Sequence, residues 1–317
     1  MKKTIIALGV MLGSVVSTSY AFPDQAMTIV VPYAAGGSSD TVARAAGKYI
    51  SAETKQNVVV DNKPGGATVI GSQAVLGKPA DGYTTLLVAA SFIINPHLIK
   101  LPFDVDKDFK PVALLASNPH VLVVNSNVPA NTLPEFIEWA KGQQQEPTFS
   151  SFGNGSSGHI GFEMFKQLAN INMLHVPYKG AAPSTLAVVS GEVNATLGDI
   201  GILAPHIQAN KVKAIAITGE ERAPLLPNVP TFKESGIEDF SSQTWLGLWV
   251  RAETPEDRIQ KLNELFNQAM QTEEMKELLS QQGLQARPTT PTEFTEFVNS
   301  ESQRYKTAIE KANIRIE

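Results

Sequence analysis

Apolar and polar positions along the chain alternate between two periods, short β-branched runs and longer stretches with one apolar face per helical turn. The first run, Met27–Val31, is followed by 40–52, where Val42, Ala46, Tyr49 and Ile50 fall on one helical face. Further strands are predicted at Val58–Val60, Thr84–Ala90, Val112–Leu115, Val121–Asn125, Thr148–Ser151, Met173–Val176, Ala195–Leu197, Lys213–Thr218 and Trp245–Val250. Helices are predicted between them at Thr68–Leu76, Leu133–Lys141, His159–Asn170, Pro183–Ser190 and Leu203–Asn210. Most of the strand runs are short and continuously apolar, as parallel strands covered on both faces must be. The alternation therefore predicts an α/β fold. After Trp249 it gives way to helices alone, at Pro255–Met270, Glu273–Gln282 and Pro291–Asn313, so the last third reads as an α-rich return onto an earlier part of the molecule.

Residues 1–21 do not follow either period. Lys2 and Lys3 precede the apolar run Thr4–Val16, and Ser19 and Ala21 sit at the −3 and −1 positions of a cleavage site before Phe22. This is the pattern of a cleavable signal peptide, too short for a membrane span, and it predicts export to the periplasm. The chain has 317 residues and no cysteine, which excludes disulfides, a thiolate nucleophile and cysteine-held metals. Without Lys2 and Lys3 the 26 basic residues become 24 against 31 acidic ones, a net charge of −7. Nucleic acid is therefore not an expected partner. The remaining 296 residues (317 − 21) exceed a comfortable single core, so two lobes are expected. The crossings are placed near Asn118-Pro119 and after Leu225–Pro230, giving a first lobe of 22–118 with 233–317 and a second of 119–232.

Two glycine- and serine-rich loops carry the chemistry, Pro32 to Asp40 on the first expected lobe and Phe152 to His159 on the second. Each lies between a strand and a helix. Glycine permits positive φ and close approach, so backbone N–H groups at the helix start converge on an anion. One such loop is an ordinary helix cap; two on opposite lobes form a clamp. A helix N-terminus is worth about 0.3–1 kcal/mol exposed and about 2 kcal/mol partly buried, and a charge-assisted hydrogen bond about 1.5–3 kcal/mol. Micromolar affinity requires about 8 kcal/mol, which two loops closing on the ligand reach and one loop in water does not. Asp40 either satisfies loop amides or binds a ligand amine or hydroxyl. The segment His175–Gly180 adds Tyr178 and Lys179, which read equally as a core aromatic and a surface lysine. Ser91 and Asp199, at the ends of predicted strands, complete the candidates.

Catalysis is less well supported. The five histidines, His97, His120, His159, His175 and His206, form no His-Glu-x-x-His or related zinc pattern, and no cofactor motif is present. Gly155-Ser156-Ser157-Gly158 does not meet Gly-x-Ser-x-Gly, although Asp199 and His206 follow it. A secreted serine hydrolase of small esters or amides using Ser156 or Ser157 is the alternative reading.

Six segments in order resemble the periplasmic solute receptors of tripartite tricarboxylate transporters, the Bug or TctC-type family: Val31–Asp40, Asp61–Gly66, Pro79–Thr84, Gly153–His159, His175–Gly180 and Leu226–Thr231. The resemblance implies a Venus-flytrap fold, no enzymatic activity, a small organic acid held through its carboxylate, and delivery to subunits of a cytoplasmic-membrane transporter by a monomeric receptor. Carried over by position, it implies ligand contacts from Tyr33, Gly37, Ser38, Ser39 and Asp40 on one side and from Asn154, Ser156, Ser157, His159, Tyr178, Lys179 and Gly180 on the other. Ala34, Gly36, Ser91, Gly153 and Asp199 are further candidates beside them. Ala35, Lys63 and Asn228 stand where the family often has proline, arginine and aspartate; Ala35 loosens the first loop and the others leave the clamp untouched. With few cationic side chains near the loops, a ligand with one or two carboxylates is expected rather than a trianion.

Overall fold

The computed structural model describes residues 22–238 and 240–315; the predicted signal segment lies outside them. The first lobe starts with β1 (Met27–Val31), α1 (Ser38–Thr54), β2 (Val58–Asn62), α2 (Val69–Leu76) and β3 (Thr84–Ala89). β1 lies between β2 and β3, parallel to both. In β1 the side chains of Met27, Ile29 and Val31 enter one core and Val30 enters another on the opposite face. A strand covered on both sides has no polar face, which is why every residue of the run but Thr28 is apolar. In α1, Val42, Ala46 and Ile50 are fully buried at four-residue spacing, and Tyr49 packs beside them partly buried.

Two short helices, α3 (Ser91–Ile94) and α4 (Val105–Asp108), lead into β4 (Phe109–Asn125). The runs Val112–Leu115 and Val121–Asn125 are thus one strand that passes through Pro119. Proline breaks a ladder where its missing N–H is needed. Here Pro119 holds the last paired position of this strand against the first sheet, opposite Gln243, and pairing with the second sheet begins at His120. The second lobe follows: α5 (Leu133–Lys141), β5 (Thr148–Ser151), α6 (Ser157–Ala169), β6 (Leu174–Pro177), α7 (Ala181–Ser190), β7 (Ala195–Asp199), α8 (Ile200–Gln208) and β8 (Val212–Ile217). β5 runs parallel to both β6 and β7, repeating the triplet of the first lobe. β7 and β8 flank the end of β4 antiparallel.

After β8 the chain stays on the second lobe. Phe232 and Phe240 pack ring to ring at 4.6 Å, and both meet Phe165 of α6. The return is made by β9 (Gln243–Arg251), antiparallel between β3 and β4. It is followed by α9 (Glu256–Gln271), α10 (Glu273–Gln281), β10 (Gln285–Ala286) and α11 (Pro291–Ala312). α9 and α10 cover one face of the first sheet through Ile259, Leu262, Phe266 and Leu279, and α11 covers the other through Phe294, Val298 and Tyr305. Burying each large apolar side chain contributes about 1.5–3 kcal/mol. β4 and β9 are therefore the two strands that join the halves. Among the described residues no helix is long and apolar enough to cross a membrane.

Candidate functional site

The loop after β1 is built around Asp40. Gly36, at φ 86°, turns its N–H onto Asp40 Oδ2 at 2.8 Å. Arg44, one turn along α1, donates to the same carboxylate at 3.1 and 2.9 Å. Asn62 accepts from Arg44 and donates to the Tyr33 carbonyl, closing the brace. Burial alone would raise the Asp40 carboxyl, but Arg44, the Gly36 amide and Asn62 together hold it below the usual carboxylate range. Asp40 thus satisfies loop amides and does not line the cleft. Gly37 caps α1 without a side-chain hydrogen bond. The first amides of a helix have no intrahelical partner, so those of Ser38 and Ser39 remain available. Tyr33 lies below them, its hydroxyl accepting from the Ala89 amide at 3.0 Å and sharing a 2.9 Å hydrogen bond with Ser91.

The loop after β5 uses Gly153 and Gly155 at φ 133° and 71°. Ser156 caps α6, accepting from the His159 amide at 3.2 Å and donating to the Gly153 carbonyl at 2.7 Å. Gly158 must be glycine, because a Cβ would lie 2.7 Å from the Leu197 carbonyl where α6 meets β7. His159 sits under the loop rather than in the cleft, accepting from the Gly155 amide at 3.2 Å and stacking on His175 at 3.8 Å. Burial holds His159 near pKa 3 and His175 near 4, so both are neutral rings.

Between the loops lies a cleft of about 390 Å³. It brings together Tyr33, Gly37, Ser38, Ser39, Ser91, Gly153, Asn154, Ser156, Ser157 and Asp199 of the residues picked out by sequence. Ala34, Gly36, Asp40, His159, Tyr178, Lys179 and Gly180 are not in its lining. Gly36, Asp40 and His159 instead brace the loops from behind. Tyr178 donates to Glu192 at 2.7 Å on the outer surface, where burial and that carboxylate push its phenol up to about 12. Lys179 is exposed. Gly180, at φ 113°, ends the β6 loop and starts α7 two residues earlier than the pattern predicts, which puts Ala181 at the N-terminus of α7 into the cleft. Pro183 obscured that start, although proline is well tolerated in a first turn.

Sequence reasoning also missed Ala89, Ala90, Phe152, Thr244 and Leu246. Thr244 is the informative one. Its hydroxyl lies 2.6 Å from Asp199 Oδ1 and 3.0 Å from Nε2 of His120, which is fully buried at the junction in β4. His120 Nδ1 meets Ser242 at 2.8 Å, and burial with a smaller contribution from Arg304 holds the ring near pKa 3. No local signal marks these contacts, whose partners lie 45 to 124 residues apart.

The lining contains no lysine, arginine or histidine, and Asp199 is its one ionisable carboxylate. Residues at the starts of α1, α3, α6 and α7 all line it, so an anion entering it would be met by amide dipoles and not by cationic side chains. A hydrolase relay is not assembled. Ser156 is engaged in its cap. Ser157 lies 3.5 Å from His120 Nε2, but Asp199 stands on that same side of the ring at 3.7 Å and the opposite nitrogen faces Ser242. An orienting carboxylate would have to be at Nδ1. Among the described residues no group of three potential ligands could hold a metal ion. A larger groove of about 630 Å³ between α6 and α11 contains neither loop.

Two α/β halves joined by two strands, with helix N-termini facing one another across the seam, define a two-lobed solute-binding protein. The tripartite tricarboxylate transporter family receptor model, TctC, matches residues 42–314, and the chain belongs to that family. A UPF0065 protein from the tcbD-tcbE intergenic region of a Pseudomonas species is 32% identical over 291 residues, covering 91% of this chain and 87% of its own. The protein BugT of Bordetella pertussis is 29% identical, covering 93% of this chain and 91% of its own. Among solved structures, an R. palustris protein with adipate matches with a TM-score of 0.81 at 27% identity, covering 93% of this chain and 99% of that one. MatC of Rhodopseudomonas palustris with bound malate matches with a TM-score of 0.78 at 29% identity, covering 91% of this chain and 100% of that one.

Proposed function

We propose that this protein is a non-catalytic periplasmic receptor that closes its lobes around a small organic acid and delivers it, as a monomer, to membrane subunits of a tripartite tricarboxylate-type transporter. The observation that carries the reading is the cleft of about 390 Å³ faced by helix N-termini from both halves and free of cationic side chains. The first lobe is proposed as 22–118 with the return from β9 onward, and the second as 119–242, since Ile237 and Phe240 belong to the second core. That moves the return crossing from 233 to the start of β9. β4 and β9 then form the hinge, in the manner of domain closure about a few connecting strands.

Amide dipoles at two opposed points suit one or two carboxylates. A third carboxylate would meet Asp199 without a compensating cation. The adipate- and malate-bound relatives support a diacid. Titration calorimetry against monoacids, diacids and citrate tests the proposal. Saturable binding of a mono- or diacid, with no turnover of ester or amide substrates, is the expected result. Tight citrate binding without binding of smaller acids would overturn the ligand class. Hydrolysis lost in Ser157→Ala would overturn the receptor reading.

A further inference from the structure

Asp199 is a poor fit to a cleft designed only for carboxylates. It ends β7 and starts α8, its side chain is 21% exposed, and it faces the same space as the amides of α1 and α6. Its environment fixes the direction of its hydrogen bonds. His120 is a buried neutral ring, and Thr244, whose hydroxyl proton goes to Asp199, is left to accept at 3.0 Å from Nε2–H, which makes Nδ1 an acceptor facing Ser242. Thr244 then donates to Asp199 Oδ1 at 2.6 Å. This chain of donors ends on Oδ1, Oδ2 has no hydrogen-bond partner among the described residues, and Asp199 lines the cleft.

We propose that Asp199 receives a hydrogen-bond donor carried by the ligand, so that this receptor takes acids with an ammonium or hydroxyl substituent in preference to unsubstituted ones. The inference rests on the receptor reading and names the substrate class of the same cleft. Three observations converge on it. The lining offers amide donors for carboxylates at several points but one anionic acceptor, and an acceptor-only group has no use for a second carboxylate. No lysine or arginine lines the cleft to neutralise Asp199. Burial raises its carboxyl, with only Thr244 opposing, so its charged form is short of donors when the lobes close and water leaves. A ligand ammonium or hydroxyl supplies that donor.

The test compares acids matched in length and differing only in the substituent: aspartate, malate and succinate, with glutamate, 2-hydroxyglutarate and glutarate as a longer set. Calorimetry on the wild-type chain is expected to show one substituted acid, amino or hydroxy, binding at least about tenfold more tightly than its unsubstituted partner. Which arm wins identifies the donor. In Asp199→Asn, whose amide accepts from Thr244 but turns its own donor toward the ligand, this preference should fall to within about threefold. Equal wild-type affinities within each set would overturn the proposal, and so would a preference unchanged in Asp199→Asn. Succinate binding that takes up a proton in the wild-type chain, with the uptake lost but the affinity retained in Asp199→Asn, would likewise overturn it by showing Asp199 acting as a protonated donor. Those outcomes leave the receptor reading standing. Failure of every acid to bind would remove that reading and this inference with it.

Discussion

At the scale of single residues, the cleft leaves helix-start amides without intrahelical partners along its lining and pairs the polar groups behind them. Gly37 illustrates the first half. Its backbone is extended at φ −79°, and an added Cβ would come no closer than 3.7 Å to the Ala34 carbonyl. Gly37→Val is therefore expected to leave the melting temperature within a few degrees while a branched side chain beside the Ser38 and Ser39 amides weakens acid binding at least about tenfold. Calorimetry with a thermal melt on the same sample checks both halves of that statement. Tyr33 illustrates the second. Removing its hydroxyl in Tyr33→Phe leaves the half-buried Ala89 amide without that acceptor, at an expected cost of about 1–3 kcal/mol measurable by chemical denaturation. Tyr33, Gly37, Ser38 and Ser39 were legible in the sequence because the chemistry of a Gly/Ser loop is local. Asp40 was legible as a choice between two roles, and the side chain of Arg44 one turn away decided it. His120 and Thr244 were not legible, since each is defined by a partner on the other connecting strand.

At the scale of elements, the alternation of periods was enough to place most strands and helices within a few residues, and to identify the late helical return. Misreadings fell where one residue type has two uses. Pro119 reads as a break between strands, yet it sits in β4 where the strand exchanges one set of neighbours for another. Pro183 reads as a helix start, yet α7 begins at Ala181 and so presents its N-terminus to the cleft. Gly180 makes that start possible. Its φ of 113° is unfavourable for an L side chain although the surrounding space is open. Gly180→Ala is expected to destabilise the protein by roughly 1–3 kcal/mol through backbone strain alone, readable as a lowered denaturation midpoint. An unchanged midpoint would mean that α7 can start without the positive φ.

At the scale of the whole molecule, two buried neutral histidines, His120 and His159, and the half-buried His175 couple stability to pH. His120 and His159 are held near 3 and His175 near 4, against about 6.5 in the unfolded chain. Below pH 6.5 the unfolded chain gains protons that the folded one does not, so stability falls as pH drops from about 6.5 toward 4. The slope approaches roughly 1.4 kcal/mol per pH unit for each fully buried ring. Asp199, raised by burial, acts in the opposite direction but is a single group. Denaturation at pH 7, 6 and 5 should give steadily lower stabilities, and a flat profile would contradict the burial of these rings. The two-lobed plan was legible from length, but which residues face one another across the seam required the register of β4 against β7 and β9.

The claim on which the account rests is that opposed helix N-termini grip the ligand's carboxylate across the seam. A crystal structure of the protein with a tightly bound acid tests it directly. A carboxylate is expected within hydrogen-bonding distance, about 3 Å, of the amides at the start of α1 on one side and of α6 or α7 on the other. Density for the acid outside this cleft, or held by side-chain cations alone, would contradict it.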